Sequence, residues 1–140
     1  MTSVPLSISA IPAIVNFTTN ATSNYNISSP YAQYTVTGMA STGVKAMWAG
    51  NASGDTNIIF QGPGSDIDYI FNKVFSASGN ALGNANFIST GYHRTDLNLD
   101  GNTIYQGAGS DTDIVFFNVL YYYLGNLASF PNAIISQQIP

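Results

Sequence analysis

The chain has 140 residues, which is enough for one domain or two small lobes with a buried core. Charged residues make up 7% of it, against about 25% in ordinary globular proteins, yet hydrophobic residues make up 45%. Three basic residues and a net charge of −4 argue against nucleic acid as a partner, and the absence of cysteine excludes disulfides and thiolate metal sites. No run of 18 apolar residues occurs, so we expect no membrane insertion.

The first 48 residues are predicted to be β-rich. Weakly alternating apolar residues occur at positions 6–9 and 14–17, and residues 31–37 form a segment rich in β-formers. Gly38 and Gly43 flank a predicted hairpin turn. Because few charges oppose association, residues 7–18 also suggest self-association into a polymer by strand addition.

The remainder of the chain contains an internal repeat. Residues 51–75 and 96–120 are identical at eleven of 25 positions without a gap, and all seven acidic residues, every one an aspartate, lie within these two windows. A solvated surface would scatter its acids, so their concentration indicates a shared role. We therefore divide the chain into residues 1–48, repeat 1 with a linker (49–86), and repeat 2 with a C-terminal tail (87–140).

Each repeat contains a loop, a short extended piece, a Gly-rich turn and a predicted helix. Ser65 and Ser110 are the predicted N-caps, followed by aspartates in the first helical turn. The helices should pack on each other through apolar residues at helical spacing: Ile70, Phe71, Val74, Phe75, Val115, Phe116, Val119, Leu120 and Tyr123. The linker 76–86 is small and polar, and we expect it to be flexible.

Residues 96–101, here called loop 2, have the sequence D-x-N-x-D-G, the first half of an EF-hand-type calcium loop. Oxygens at loop positions 1, 3 and 5 converge on one point as the chain curls, and glycine at position 6 permits the turn. The predicted ligands are Asp96, Asn98, Asp100 and the carbonyl of Asn102. Position 12 is a glycine, so the closing carboxylate is Asp111, with Asp113 as the competitor. The other interpretation is an Asx-rich turn that binds nothing.

Residues 51–56, here called loop 1, form the weaker copy. Its predicted ligands are Asn51, Ser53, Asp55 and Asn57, with Asp66 and Asp68 as the later acids. The ligand charge of loop 1 is lower by one, so we expect loop 1 to bind calcium more weakly than loop 2. Thr56 stands where loop 2 has its glycine, and a left-handed threonine would be strained.

These residues resemble a dockerin-type repeat, in which a calcium loop leads into a helix and two copies pair. A closer similarity covers nearly the whole chain: tandem W-A-G-D-x-N-x-D-G-x-V-x-Y-x-G-x-x-N-D-R-D units near the C-terminal ends of large surface proteins of bacteria that use the type IX secretion route. The matching segments are residues 47–50, 59–62, 65–68, 91–92, 96–101, 104–107, 110–113 and 138–140. The arginine of the family motif is missing from both copies. The resemblance implies calcium binding and an extracellular or cell-surface location, rather than a particular activity.

Other functions have weaker support in the sequence. His93 is the single histidine and no G-x-S-x-G motif occurs, so we expect no enzyme. Trp48, Tyr92 and residues 121–123 offer aromatic faces for a carbohydrate- or protein-binding module. We expect Trp48 to be core, and the three tyrosines to point in different directions on their helix.

The sequence thus predicts an α+β fold in which a β-rich N-terminal segment packs on a duplicated calcium-loop–helix unit. The predicted function is a non-catalytic structural or adhesive domain that binds two calcium ions, with loop 2 the stronger site. The sequence identifies no glycan or protein ligand.

Overall fold

The computed structural model describes residues 33–36 and 44–137. The chain divides into two compact units, one formed by Met1–Trp48 with Ser136–Pro140 and the other by Ala49–Ile135. Both contain short strands, and the second unit also contains the helices, so the general class is α+β. The predicted extended pieces at residues 6–9, 7–18 and 14–17 and the closing residues 138–140 lie outside the described residues.

In the described part of the first unit, a two-stranded antiparallel ladder precedes the tryptophan. Strand β1 (Tyr34–Thr35) pairs with β2 (Lys45–Ala46). The Lys45 ammonium donates to Thr35 Oγ1 at 2.6 Å, and the rings of Tyr34 and Trp48 meet edge to face with centroids 5.3 Å apart. Trp48 is 8% exposed, which confirms the prediction that it is a core residue.

The second unit contains two helices that follow the Gly-rich turns, as predicted. Helix α1 spans Asp66–Phe75, and α2 spans Asp111–Phe117 and continues as a π-helical turn, Asn118–Tyr122. Ser65 and Ser110 cap them, each hydroxyl accepting from the backbone N–H two residues later. The same hydroxyls donate to the carbonyls of Phe60 and Tyr105, which fixes each cap to the preceding extended piece.

The predicted packing of the helices on each other is confirmed, because α1 contacts α2. Ile70, Val74, Val115 and Val119 are each 0% exposed and form the core between them. The core prediction was wrong for Phe75, which is 50% exposed. Phe75 is the last residue of α1, and its ring covers Gly83 instead of entering the core.

Four three-residue strands complete the second unit: β3 (Asn57–Ile59), β4 (Ile88–Thr90), β5 (Asn102–Ile104) and β6 (Ile134–Ser136). Strand β4 pairs antiparallel with β5, and β3 pairs with β6. The strand after the first helix therefore pairs with the strand before the second helix, and the strand after the second helix pairs with the strand before the first.

The segment predicted to be a flexible linker is instead a hydrogen-bonded loop. Asn80 is 6% exposed, and its amide donates to the carbonyls of Val74 and Asn84, both at 2.9 Å. After the second helix, Asn126 makes the equivalent bonds to Val119 and Phe130 at 2.8 Å. In both places a buried asparagine satisfies one carbonyl near the end of a helix and one carbonyl in the loop that follows.

The loops that follow the two helices show that the second copy has a one-residue insertion. Val74 and Val119 are 45 residues apart, but Asn80 and Asn126 are 46 apart. The extra residue falls in the π-helical turn that follows α2. Single-residue insertions into helices are commonly accommodated as such turns.

Candidate metal centre

Loop 2 curls around the side chain of Asp96, which is 2% exposed. Its Oδ1 accepts from the N–H of Asp100 at 3.1 Å, and its Oδ2 accepts from the N–H of Gly101 at 2.9 Å. Leu99 and Gly101 have positive φ angles, 62° and 84°, which turn the backbone so that these N–H groups face inward. The curl predicted from the D-x-N-x-D-G motif is therefore present in the backbone.

Asn98 and Asp100 lie on the same loop and contact each other. Asn98 Oδ1 accepts from the N–H of Asp100 at 2.9 Å, and Asp100 Oδ1 accepts from the N–H of Asn102 at 2.8 Å. The Asn98 amide donates to Asp100 Oδ2 at 3.1 Å. These side-chain oxygens have two lone pairs each and a single hydrogen bond each, so they retain capacity for a cation.

Asp111 is 0% exposed and holds the two ends of the loop region together. Its Oδ1 accepts from the N–H groups of Leu97 and Asn98 at 2.7 and 3.4 Å, and its Oδ2 accepts from the N–H of Ile104 at 2.8 Å. Burial raises the pKa of this carboxyl group, against the lowering effect of the three N–H donors. The nearby charge of Asp96 raises the same pKa further.

Asp113, the competitor for the closing position, is exposed in the first turn of α2. The structure thus brings Asp111, and not Asp113, against the start of loop 2. Among residues 33–36 and 44–137, no three histidine, cysteine or acidic side chains form a group able to hold a metal ion. The carboxylates of Asp96, Asp100 and Asp111 face backbone N–H groups instead, so oxygens from the Asn98 amide and from the backbone would have to complete a site.

Loop 1 curls differently because its side chains hydrogen-bond to one another. Asn51 Oδ1 accepts from both the Ser53 hydroxyl, at 3.1 Å, and the N–H of Gly54, at 2.5 Å. The Ser53 hydroxyl in turn accepts from the N–H of Asp55 at 3.3 Å. Both lone pairs of the Asn51 amide oxygen are therefore used within the loop, and Asp55 is its one charged side chain.

The left-handed position of loop 1 is Gly54, with φ of 78°, and not Thr56. Thr56 does not have a positive φ, so the strain of a left-handed threonine does not arise. In loop 2 the residue that corresponds to Gly54 is Leu99, which adopts the left-handed conformation despite its side chain. Motif matching places the turn at the glycine of the consensus, whereas loop 1 turns two residues earlier.

Arg94 lies against loop 1 and had no role in the sequence prediction. Its Nη1 donates to the carbonyl of Ser53 at 2.8 Å. A Cβ atom built on Gly54 would lie 2.2 Å from the same nitrogen, so a side chain at this position would displace the guanidinium. The contact joins residues 41 positions apart, a separation that no local sequence pattern signals.

Asp66 repeats the contacts of Asp111 in the first copy. It is 0% exposed, and its two oxygens accept from the N–H groups of Ser53 at 2.9 Å and Ile59 at 2.8 Å. Burial raises its pKa as well. Asp68 is exposed in the first turn of α1, and Asn57 begins β3, where its N–H donates to Asp55 Oδ1 at 2.6 Å.

Comparison with family models, with curated proteins and with solved structures found no match. Within the described ranges, no helix is long and apolar enough to cross a membrane.

Proposed function

We propose that the chain is a non-catalytic, calcium-binding structural or adhesive domain of a secreted or cell-surface bacterial protein. The observation that supports it best is the curl of loop 2, which collects two carboxylates and an amide oxygen within five residues. Calcium prefers six to eight such oxygen ligands. The resemblance to dockerin-type and type IX-associated repeats supports the same proposal.

In this proposal Asp96, Asn98 and Asp100 hold the ion in loop 2, together with the carbonyl of Asn102. Asp111 closes the loop by holding the N–H groups of Leu97 and Asn98. The ion neutralises clustered carboxylates and so stabilises the folded loop.

Loop 1 is the weaker of the two proposed calcium sites. Its amide oxygen is already engaged by two donors, its single carboxylate is that of Asp55, and the guanidinium of Arg94 lies beside it. A fixed cation and few free oxygens both oppose calcium binding. Loop 1 therefore keeps its shape mainly through its own hydrogen bonds.

The test is a calcium titration by calorimetry, combined with thermal unfolding in calcium and in EGTA. We expect a calcium-dependent rise in the unfolding midpoint that Asp100→Asn removes, while Asp55→Asn leaves most of it. Asp113→Asn is the matched control, since it removes an exposed aspartate outside both loops. An unfolding midpoint that does not respond to calcium in the unmodified protein would refute the proposal.

That the chain is not an enzyme is part of the same proposal. The single histidine of the chain, His93, is exposed.

Self-association through residues 7–18 is also a proposal, tested by sedimentation of the full chain against a chain that lacks residues 1–18. Sedimentation unchanged by the truncation would refute it.

A glycan- or protein-binding module is the second candidate function, and an aromatic cluster favours it. Phe117, Tyr121 and Tyr122 are 44%, 65% and 50% exposed, and the ring of Phe117 lies 5.6 and 6.5 Å from the other two. Tyr121 and Tyr122 both lie in the π-helical turn. Tyr121→Ala should lower binding to a glycan array if the cluster is the binding face.

A further inference from the structure

A cleft of about 380 Å³ lies in the second unit, between the end of α1, the loop that follows it, and β4. Ligand pockets in proteins start at about 300 Å³, so the size suits a small molecule. No residue of loop 1 or loop 2 lines the cleft, and its chemistry is therefore separate from the proposed calcium sites.

The cleft contains a lysine and a histidine in a chain that has few of either. Lys73 and His93 line it, out of three Lys and Arg residues and one histidine in the whole chain, and no aspartate lines it. In residues 33–36 and 44–137, the side chains of Lys73 and His93 form no hydrogen bond or ion pair. An unpaired ammonium group beside an imidazole favours an anionic ligand.

The rest of the lining is aromatic and hydroxylated. The ring of Phe87 lies beside Gly79, where a Cβ atom would come within 2.9 Å of it, and a Cβ atom on Gly91 would lie 3.0 Å from His93 Nε2. Ser78, Ser89 and Thr90 line the same space. A ring face together with hydroxyl groups suits a ligand that has an apolar face and its own hydroxyls.

The corresponding place in the second copy has different side chains. Ala77 corresponds to Tyr123, since their carbonyls accept from the N–H groups of the equivalent residues Asn80 and Asn126. A Cβ atom on Gly125 would lie 2.5 Å from the Tyr123 ring, so that ring occupies the space beside the glycine. The lysine is also replaced there, by Asn118, whose amide donates to the carbonyl of Ala49 at 2.7 Å.

We propose that the cleft binds a small hydroxylated organic anion, of which a uronic acid is the simplest example. Lys73 and His93 bind the carboxylate, the serine and threonine hydroxyls bind the ring hydroxyls, and Phe87 covers the apolar face.

The test is titration of the full chain with D-glucuronate in calcium-containing buffer, followed by calorimetry and by amide NMR shifts, with D-glucose and acetate as comparison probes. We expect glucuronate to bind more tightly than either. Lys73→Gln should weaken it about tenfold or more, through loss of a charged contact. Ala77→Tyr, which enlarges a side chain that lines the cleft, should abolish binding.

Lys45→Gln is the matched control, since it removes the same charge in the other unit and should leave the affinity unchanged. The proposal is overturned if glucuronate does not bind, or if glucose or acetate binds as well. It is also overturned if Ala77→Tyr retains binding, or if Lys45→Gln weakens it as much as Lys73→Gln. Lys73→Gln decides the matter if Ala77→Tyr does not fold.

Discussion

Replacing Asp111 by asparagine should destabilise the second unit far more than the small chemical change suggests. The carboxylate is 0% exposed and accepts three backbone N–H groups, two of them at 2.7 and 2.8 Å. An asparagine of the same shape has one acceptor oxygen and one NH₂ group. Whichever way it turns, a buried N–H group of either Leu97 or Ile104 then faces a donor.

The magnitude follows from those contacts. A buried N–H left without an acceptor costs about 1–3 kcal/mol, and the remaining bonds weaken because their acceptor is no longer charged. Removal of a buried negative charge offsets part of this loss, since burial already raises the pKa of Asp111. We expect the free energy of unfolding to fall by about 2–3 kcal/mol.

Urea unfolding followed by circular dichroism, in EGTA and again in calcium, measures this loss. Asp113→Asn, two residues along the same helix and exposed, should change the free energy of unfolding by less than about 0.5 kcal/mol. Equal stability of the two variants in EGTA would refute the reasoning from buried N–H groups. A loss that is larger in calcium than in EGTA would add a ligand role to Asp111.

Three further predictions concern the turns of loop 1 and loop 2, the asparagine after the second helix, and Asp66. Leu99→Gly should raise the free energy of unfolding by about 0.5–1 kcal/mol in urea titrations, because residue 99 has a φ of 62° and a side chain that is 73% exposed. Gly54→Ala should lower the free energy of unfolding, since the new Cβ would strike Arg94. A fall for the first variant or a rise for the second would contradict the assignment of the turns. Asn126→Ala should lower it by about 2–3 kcal/mol by leaving two carbonyls without a donor, and a loss under about 0.5 kcal/mol would mean that water replaces the amide. Burial raises the pKa of Asp66 above its unfolded value, so this carboxyl group contributes stability below the ordinary carboxyl range and loses it as pH rises through the raised pKa. In EGTA, the urea midpoint of the unmodified protein should therefore fall, relative to that of Asp66→Asn, as pH rises through this range. A urea midpoint that rises relative to that of the variant would show that the pKa is shifted in the other direction.

Local features of the fold were predictable because short-range chemistry determines them. Ser65 and Ser110 precede aspartates and apolar residues at helical spacing, and this pattern defines a capped helix without tertiary context. The curl of loop 2 follows in the same way from Asp96 and Gly101. The valines of both helices were assigned to the core from periodicity, and Trp48 from its position at the entrance of repeat 1.

Features that depend on distant residues were not predictable from one sequence. Three-residue strands such as β6 are too short for an alternating pattern to be distinctive. The guanidinium of Arg94 reaches Ser53 across 41 residues, and the cleft beside Lys73 depends on side chains from three separate segments. The π-helical turn was hidden because the gapless alignment ends at residue 120, just before the insertion shifts the register.

The exchange of strands in the second unit has a consequence for chain integrity. Strand β3 depends on β6 and β5 depends on β4, so each half of the unit provides a partner that the other half lacks. A cut in the turn between β4 and loop 2 would therefore leave two fragments, each with an unsatisfied strand edge. Such fragments should be unfolded when alone and should recover native structure when mixed, as in a split reporter. The same reciprocity provides a route by which two intact molecules trade halves and form a domain-swapped dimer.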